Sequence, residues 1–245
     1  MKLRIAKTAI VVASLLPPLA WSAHWSYEGK ASPEHWGELS SEFKTCQTGK
    51  NQSPVDIDKT VTAHLTPFEN HYRESPTVLL NNGHTIQASF LNNINTLVLD
   101  DNTSNLQQFH FHAPSENTIH GKHYPLEMHL VHTSADGDIT VIAVMFETGA
   151  ANRELGALWQ QLPTKVDTSV PINHRIDLAA LLPAEKSYWR FSGSLTTPPC
   201  SEGVTWLVMK HPLTISSQQL AQFKSAMHHD NNRPLQPLYG RLVVE

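Results

Sequence analysis

Gln108-Phe109-His110-Phe111-His112 and Leu126-Glu127-Met128-His129-Leu130-Val131-His132 are the two stretches that decide how this chain reads. In the first, aromatic residues alternate with imidazoles at the period of a half-buried strand. His110 and His112 therefore share one face, and Phe109 and Phe111 the other. In the second, Glu127, His129 and Val131 share a face. If these two strands pair, three imidazoles converge. Three protein ligands with a fourth position open are what a catalytic zinc site uses, whereas structural sites close all four positions.

Working outward, further short β-type runs fall at 77–80, 85–91, 96–99, 107–112, 126–132, 139–146 and 204–210. Turn signals separate them: Asn81-Asn82-Gly83, Asp100-Asp101-Asn102 and Ala135-Asp136-Gly137-Asp138. This is the spacing of an antiparallel sheet. Two helices are legible. One starts at Asn152 as N-cap, carries Leu155, Leu158, Trp159 and Leu162 on one stripe, and stops at Pro163. The other opens with Ser216 and Gln219 as a capping box and with Ile215 and Leu220 placed for a hydrophobic staple. Leu220, Phe223 and Met227 form its apolar stripe. No repeat, low-complexity tract or long linker divides the chain, so one mainly β domain with peripheral helices is expected.

The chain has 245 residues, 40% hydrophobic and 16% charged, an ordinary globular composition long enough for a substantial core. Its formal net charge is -4 with no basic run, so a nucleic-acid footprint is missing. Residues 1–22 read as a secretory signal, with the cleavage point approximate. Lys2, Arg4 and Lys7 precede an apolar run too short to span a membrane, and Ala20-Trp21-Ser22 offers small residues for a signal peptidase. No cysteine follows closely enough for a lipid anchor. The expected mature chain, 23–245, is acidic and exported.

Export gives Cys46 and Cys200 a meaning. An even pair in an oxidising compartment reads as a disulfide, the alternative being two buried thiols. Neither sits in a Cys-x-x-Cys pattern, which disfavours a redox or zinc-knuckle role.

A further segment makes the pattern specific: Ser194-Leu195-Thr196-Thr197-Pro198-Pro199-Cys200, then Val204-Thr205-Trp206. Together with the three histidines it resembles the α-class carbonic anhydrases. Pro33-Glu34-His35-Trp36-Gly37, Gln52-Ser53-Pro54-Val55-Asp56-Ile57, Asn81-Asn82-Gly83-His84, Ser115-Glu116-Asn117-Thr118 and Arg233-Pro234-Leu235-Gln236-Pro237-Leu238 follow in family order across the mature chain. Residues 117–125 are similar to the bacterial branch, as is the expected disulfide. With the signal, they imply a periplasmic or secreted protein. Asn117 and Ala113 depart from the vertebrate pattern, where histidine and tryptophan are common.

The resemblance implies a single α+β domain, mainly β, with a large twisted and mainly antiparallel sheet. It implies cis bonds at Ser53-Pro54 and Pro198-Pro199, and possible homodimerisation. The implied activity is reversible hydration of carbon dioxide to bicarbonate and a proton by zinc-hydroxide attack, with one Zn2+ per chain. His110, His112 and His129 match the zinc ligands. Gln108, Glu127 and the Asn231 carbonyl match the groups that orient His110, His129 and His112. Thr196 matches the hydroxyl that accepts the proton of the hydroxide and donates to Glu116. Val131, Val141, Leu195, Val204 and Trp206 match the apolar wall for carbon dioxide, with Thr197 beside it. His84 matches the proton shuttle, a role suited to a group titrating near neutrality.

Two other readings stand beside this one. A non-catalytic relative of the family would typically have lost a ligand histidine, and all three are present. A cupin-type metal oxygenase would use Glu116 as a fourth ligand with His110, His112 and His129. Cupin patterns want flanking glycines, and those positions hold Ser104 and His123.

Overall fold

The computed structural model describes residues 24–245. The expected signal, 1–22, lies outside the described residues. A 13-stranded sheet dominates the fold. From edge to edge it runs Thr168–Pro171, Val78–Asn81, Ile86–Ser89, Asn102–His112, Leu126–Ser134, Ile139–Thr148, Glu202–Met209, Tyr188–Ser194, Val243–Val244 and Thr60–Val61. Neighbours are mostly antiparallel, as expected. The exceptions are Ile139–Thr148 against both Glu202–Met209 and Leu213–Ile215, and Val243–Val244 against Thr60–Val61. The path is open at both ends, so the closed cupin barrel is not met.

The histidine strands Asn102–His112 and Leu126–Ser134 lie side by side at the centre, with His110 opposite His129, Gln108 opposite Val131 and His112 opposite Glu127. Directly opposed residues share a face, so the site residues gather on one side. The other side sends Phe109, Phe111, Met128, Leu130, Ile142 and Val144, all fully buried, into the main core. A slip of one residue would exchange the two sets, which is why the apolar pattern enforces this register.

The strand Asn102–His112 is longer than expected, and its register shifts between Leu106 and Gln108. Leu106 and Phe109 both enter the main core although three positions separate them. Perfect alternation forbids that; a bulge at Gln107 absorbs the odd residue and re-aims Gln108, His110 and His112.

The two expected helices form and close the main core. Asn152 Oδ1 accepts the N–H groups of Glu154 (3.0 Å) and Leu155 (3.1 Å) at the start of Arg153–Leu158. That helix is shorter than its stripe suggested, because the turn before Pro163 tightens into the 3-10 segment Trp159–Gln161. Ser216 and Gln219 make the full capping box of Ser217–Met227. Gln219 also bonds both backbone groups of Asn152, which joins the two helix starts.

Cys46 and Cys200 form the disulfide, with Cα atoms 5.0 Å apart. With Trp36 and Phe43 they make a small separate core, against which Trp25 and Tyr27 pack. Ser53-Pro54 and Pro198-Pro199 are cis, as the resemblance implied; Ala113-Pro114 is a third, unexpected one.

Candidate metal centre and active-site cavity

Each of His110, His112 and His129 offers a ring nitrogen, and those nitrogens lie within 4.8 Å of one another. No other group of three potential ligands is found among the described residues. On His110 and His112 the opposite ring nitrogen is already hydrogen-bonded. His110 Nδ1 donates to Gln108 Oε1 at 2.8 Å and His112 Nδ1 to the Asn231 carbonyl at 2.7 Å. His129 Nε2 lies 3.0 Å from Glu127 Oε1. The two hydrogen bonds leave His110 and His112 presenting Nε2 inward, while His129, whose Nε2 faces Glu127, presents Nδ1.

The rings fit a small cation on their own evidence. His112 Nε2 is buried and has no hydrogen-bond partner, a costly state unless something else takes its lone pair. Burial pushes the His110 and His129 imidazoles well below their ordinary range, and the neighbouring rings push them further. His112 is lowered by burial too, with the Asn231 carbonyl pulling the other way. Neutral imidazoles are the form a metal needs.

Glu127 is fully buried and saturated. Its Oε2 accepts the Glu116 N–H at 2.6 Å and the Asn117 N–H at 2.9 Å, and its Oε1 accepts Asn117 Nδ2 at 2.7 Å. Glu116 is equally buried, yet only its Oε1 has an aligned donor, the Arg233 N–H at 2.9 Å. Its Oε2 lies 3.5 Å from His112 Nε2 and 3.9 Å from His129 Nδ1, and the histidine trio closes without it. Burial pushes the Glu116 carboxyl up to about 8, against the pull of the Arg233 N–H and the Thr196 hydroxyl. Thr196 is thus placed beside Glu116.

The residues expected to form an apolar wall lie together. Val141, Val204 and Trp206 are buried in one cluster, with Val131 and Leu195 packed against it. Trp206 meets the His129 ring edge-on at 4.8 Å and donates Nε1–H to the Ser194 carbonyl. A cavity opens over His110 and His112, lined also by Gln108, Thr197, Tyr27 and His84. His84 is half-buried at its mouth. Burial lowers its pKa, and the charges of His24 and His229 lower it further.

Two residues that the sequence reading left without a role, Trp25 and Arg233, complete the site together with the side chain of Asn231, of which only the carbonyl was read. Trp25 stacks on the His84 ring at 3.6 Å. The Asn231 side chain donates to the His84 and Phe111 carbonyls and accepts the Ala113 N–H, tying the mouth to the histidine strand. Arg233 buries its guanidinium against the Gln52 side chain and the Ser53 and Cys46 carbonyls, so it links the disulfide loop to Glu116. Arg233 stood inside a recognised motif, but nothing local marked its partners.

The profile of eukaryotic-type carbonic anhydrases matches residues 31–245. The chain belongs to that family. A carbonic anhydrase of Klebsiella pneumoniae is 58% identical over 246 residues, covering 100% of both chains. One from Pectobacterium carotovorum is 53% identical, covering 91% of each. Among solved structures, the α-carbonic anhydrase of Thermovibrio ammonificans, in complex with the inhibitor sulfanilamide, superposes with a TM-score of 0.90 at 47% identity. That match covers 92% of this chain and 100% of the other. The three-histidine cluster therefore sits in a carbonic anhydrase fold.

Proposed function

We propose that this chain reversibly hydrates carbon dioxide to bicarbonate and a proton, at a zinc ion held by His110, His112 and His129. The observation that carries the reading is the imidazole trio, two of its rings fully buried, with His110 and His112 hydrogen-bonded from behind and His112 Nε2 left without a partner. When bound, the ion supplies Lewis acidity that brings the pKa of water to about 7, a value taken from carbonic anhydrases themselves. Neutral imidazoles leave the dication's charge intact, where thiolates or carboxylates would diminish it.

The chain's own residues do the rest. Thr196 accepts the hydrogen bond of the attacking oxygen and donates its own proton to Glu116, which must therefore act as an acceptor. A nearby dication favours the ionised form of Glu116 and opposes the upward push of burial. Val131, Val141, Leu195, Val204 and Trp206 offer carbon dioxide an apolar surface that competes poorly for water, and Thr197 borders it. His84, at the cavity mouth, takes the released proton to bulk buffer. Gln108, Glu127 and the Asn231 carbonyl hold the three rings in place.

The basic and apolar character of residues 1–22 supports export to the periplasm or beyond. Among the described residues, no helix is long and apolar enough to cross a membrane. Stopped-flow hydration of carbon dioxide, with zinc quantified in the same sample, tests the function. Fast hydration at about one zinc per chain is expected. Stoichiometric zinc without hydration would overturn the enzyme reading in favour of a binding role on an inherited scaffold.

A further inference from the structure

Asn117 is fully buried, and its side-chain amide is satisfied at both ends. Oδ1 accepts the Val55 N–H at 3.1 Å, while Nδ2 donates to Glu127 Oε1 at 2.7 Å. Only this orientation works: a flipped amide would set its oxygen against a carboxylate and its NH2 against an N–H. The oxygen it holds is the one facing His129 Nε2 at 3.0 Å. The other Glu127 oxygen is fixed by two backbone N–H groups. Those two bonds hold Oε2 and leave Oε1 without a backbone donor. The Asn117 amide supplies the donor that Oε1 otherwise lacks.

We propose that Asn117 is a positioning residue for the metal centre, setting how tightly His129 holds the ion by locking Glu127 Oε1 behind it. This rests on the zinc reading above. The amide suits the task because it is neutral and has no proton to lose in the working range, so it offers Glu127 a donor at every pH. It also couples the centre to the chain beyond it. Val55 follows the Ser53-Pro54 bond, and its neighbours Asp56–Ile57 pair with Thr118–Ile119. The carboxylate behind His129 is thereby braced against a segment whose Val55 and Ile57 pack in the cluster of Val141, Val204 and Trp206.

The test is zinc release from the purified full-length protein, followed by chelator competition, for wild type, Asn117→Leu and Asn117→Asp. Leucine keeps the volume and removes the donor; aspartate keeps the shape and sets a second carboxylate against Glu127. Both variants are expected to lose zinc 10- to 100-fold faster, the usual effect of removing an outer partner of a ligand. Asn117→His, which restores an N–H donor, should return the rate most of the way. Unfolding of the metal-free forms is measured alongside. A loss of apo stability with zinc release unchanged would overturn the proposal and leave Asn117 a packing residue. If leucine lets zinc go quickly but histidine fails to rescue, a specific donor role is likewise overturned. Wild type that takes up no zinc would sink the metal assignment itself, a failure distinct from variants that merely match a zinc-binding wild type.

Discussion

The His84 imidazole lies flat on the Trp25 indole, ring centroids 3.6 Å apart and planes within 11°. The stack holds the ring at the mouth of the cavity above His110 and His112. For His84→Ala we expect kcat at low buffer to fall by up to roughly 100-fold while kcat/KM stays near wild type. Added imidazole buffer should restore the rate, since only proton export is impaired. The lowered pKa of His84 keeps it a neutral acceptor further into acid than a free histidine. The kcat profile should therefore stay flat below the ordinary histidine range, and a profile that breaks at that range would count against the assignment.

Glu116→Gln separates a hydrogen-bond acceptor from a metal ligand. Retained zinc with hydration reduced roughly 100-fold is expected, as for loss of an orienting group. Metal analysis beside stopped-flow decides it: loss of zinc would make Glu116 a ligand, as the cupin-type reading required.

Reduction of Cys46–Cys200 opens a loop of 154 residues. Chain entropy puts its contribution at up to roughly 5 kcal/mol. Cys200 N–H also donates to the Thr197 carbonyl, so the bridge anchors the segment that carries Thr196. Denaturation with and without reductant should show the stability loss, with hydration falling before the fold does.

Gly193→Ala should destabilise by about 1–3 kcal/mol, the usual cost of overpacking. An added Cβ collides with Ser53 Oγ and lies 3.0 Å from Trp206 Cδ1. Urea titration gives the stability change. On the proposed role of Trp206 in the wall facing carbon dioxide, KM should rise as well.

His132 provides a pH test outside the metal centre. It is fully buried, with Nε2 2.8 Å from the Tyr72 hydroxyl, and burial pulls its pKa down to about 4. The unfolded chain, near the ordinary 6.5, binds the proton more readily. Stability is therefore full above about pH 6.5 and falls as pH drops from there towards 4. The gap is worth about 3 kcal/mol. Unfolding free energies at pH 7 and pH 4.5 for wild type and His132→Asn should differ in slope, the variant being flatter.

What the residues revealed in advance follows from how far each signal reaches. Period-two alternation encodes strand faces, so His110, His112 and His129 could be placed together before any fold was known. Caps are equally local, and Asn152 and Ser216 announced their helices. The strand Tyr188–Ser194 escaped notice because its alternation breaks at Gly193 and Ser194, where the register shifts. The Gln107 bulge is silent for a related reason: it is a change of parity, visible only once Leu106 and Phe109 are both found in one core. The family motifs brought Glu116 and Thr196 into view. They did not show that Arg233 reaches Cys46, a contact spanning 187 residues, because no local pattern records a partner so distant.

Chain order gives the Asn231 carbonyl a further meaning. It meets His112 across 119 positions, and the Arg233 N–H meets Glu116 across 117. During synthesis both histidine strands emerge long before either partner exists. Without residues 231–233 His112 would have nothing behind it and Glu116 would lack its donor. The final stretch of the chain thus completes a site whose ring-bearing strands lie more than a hundred positions earlier.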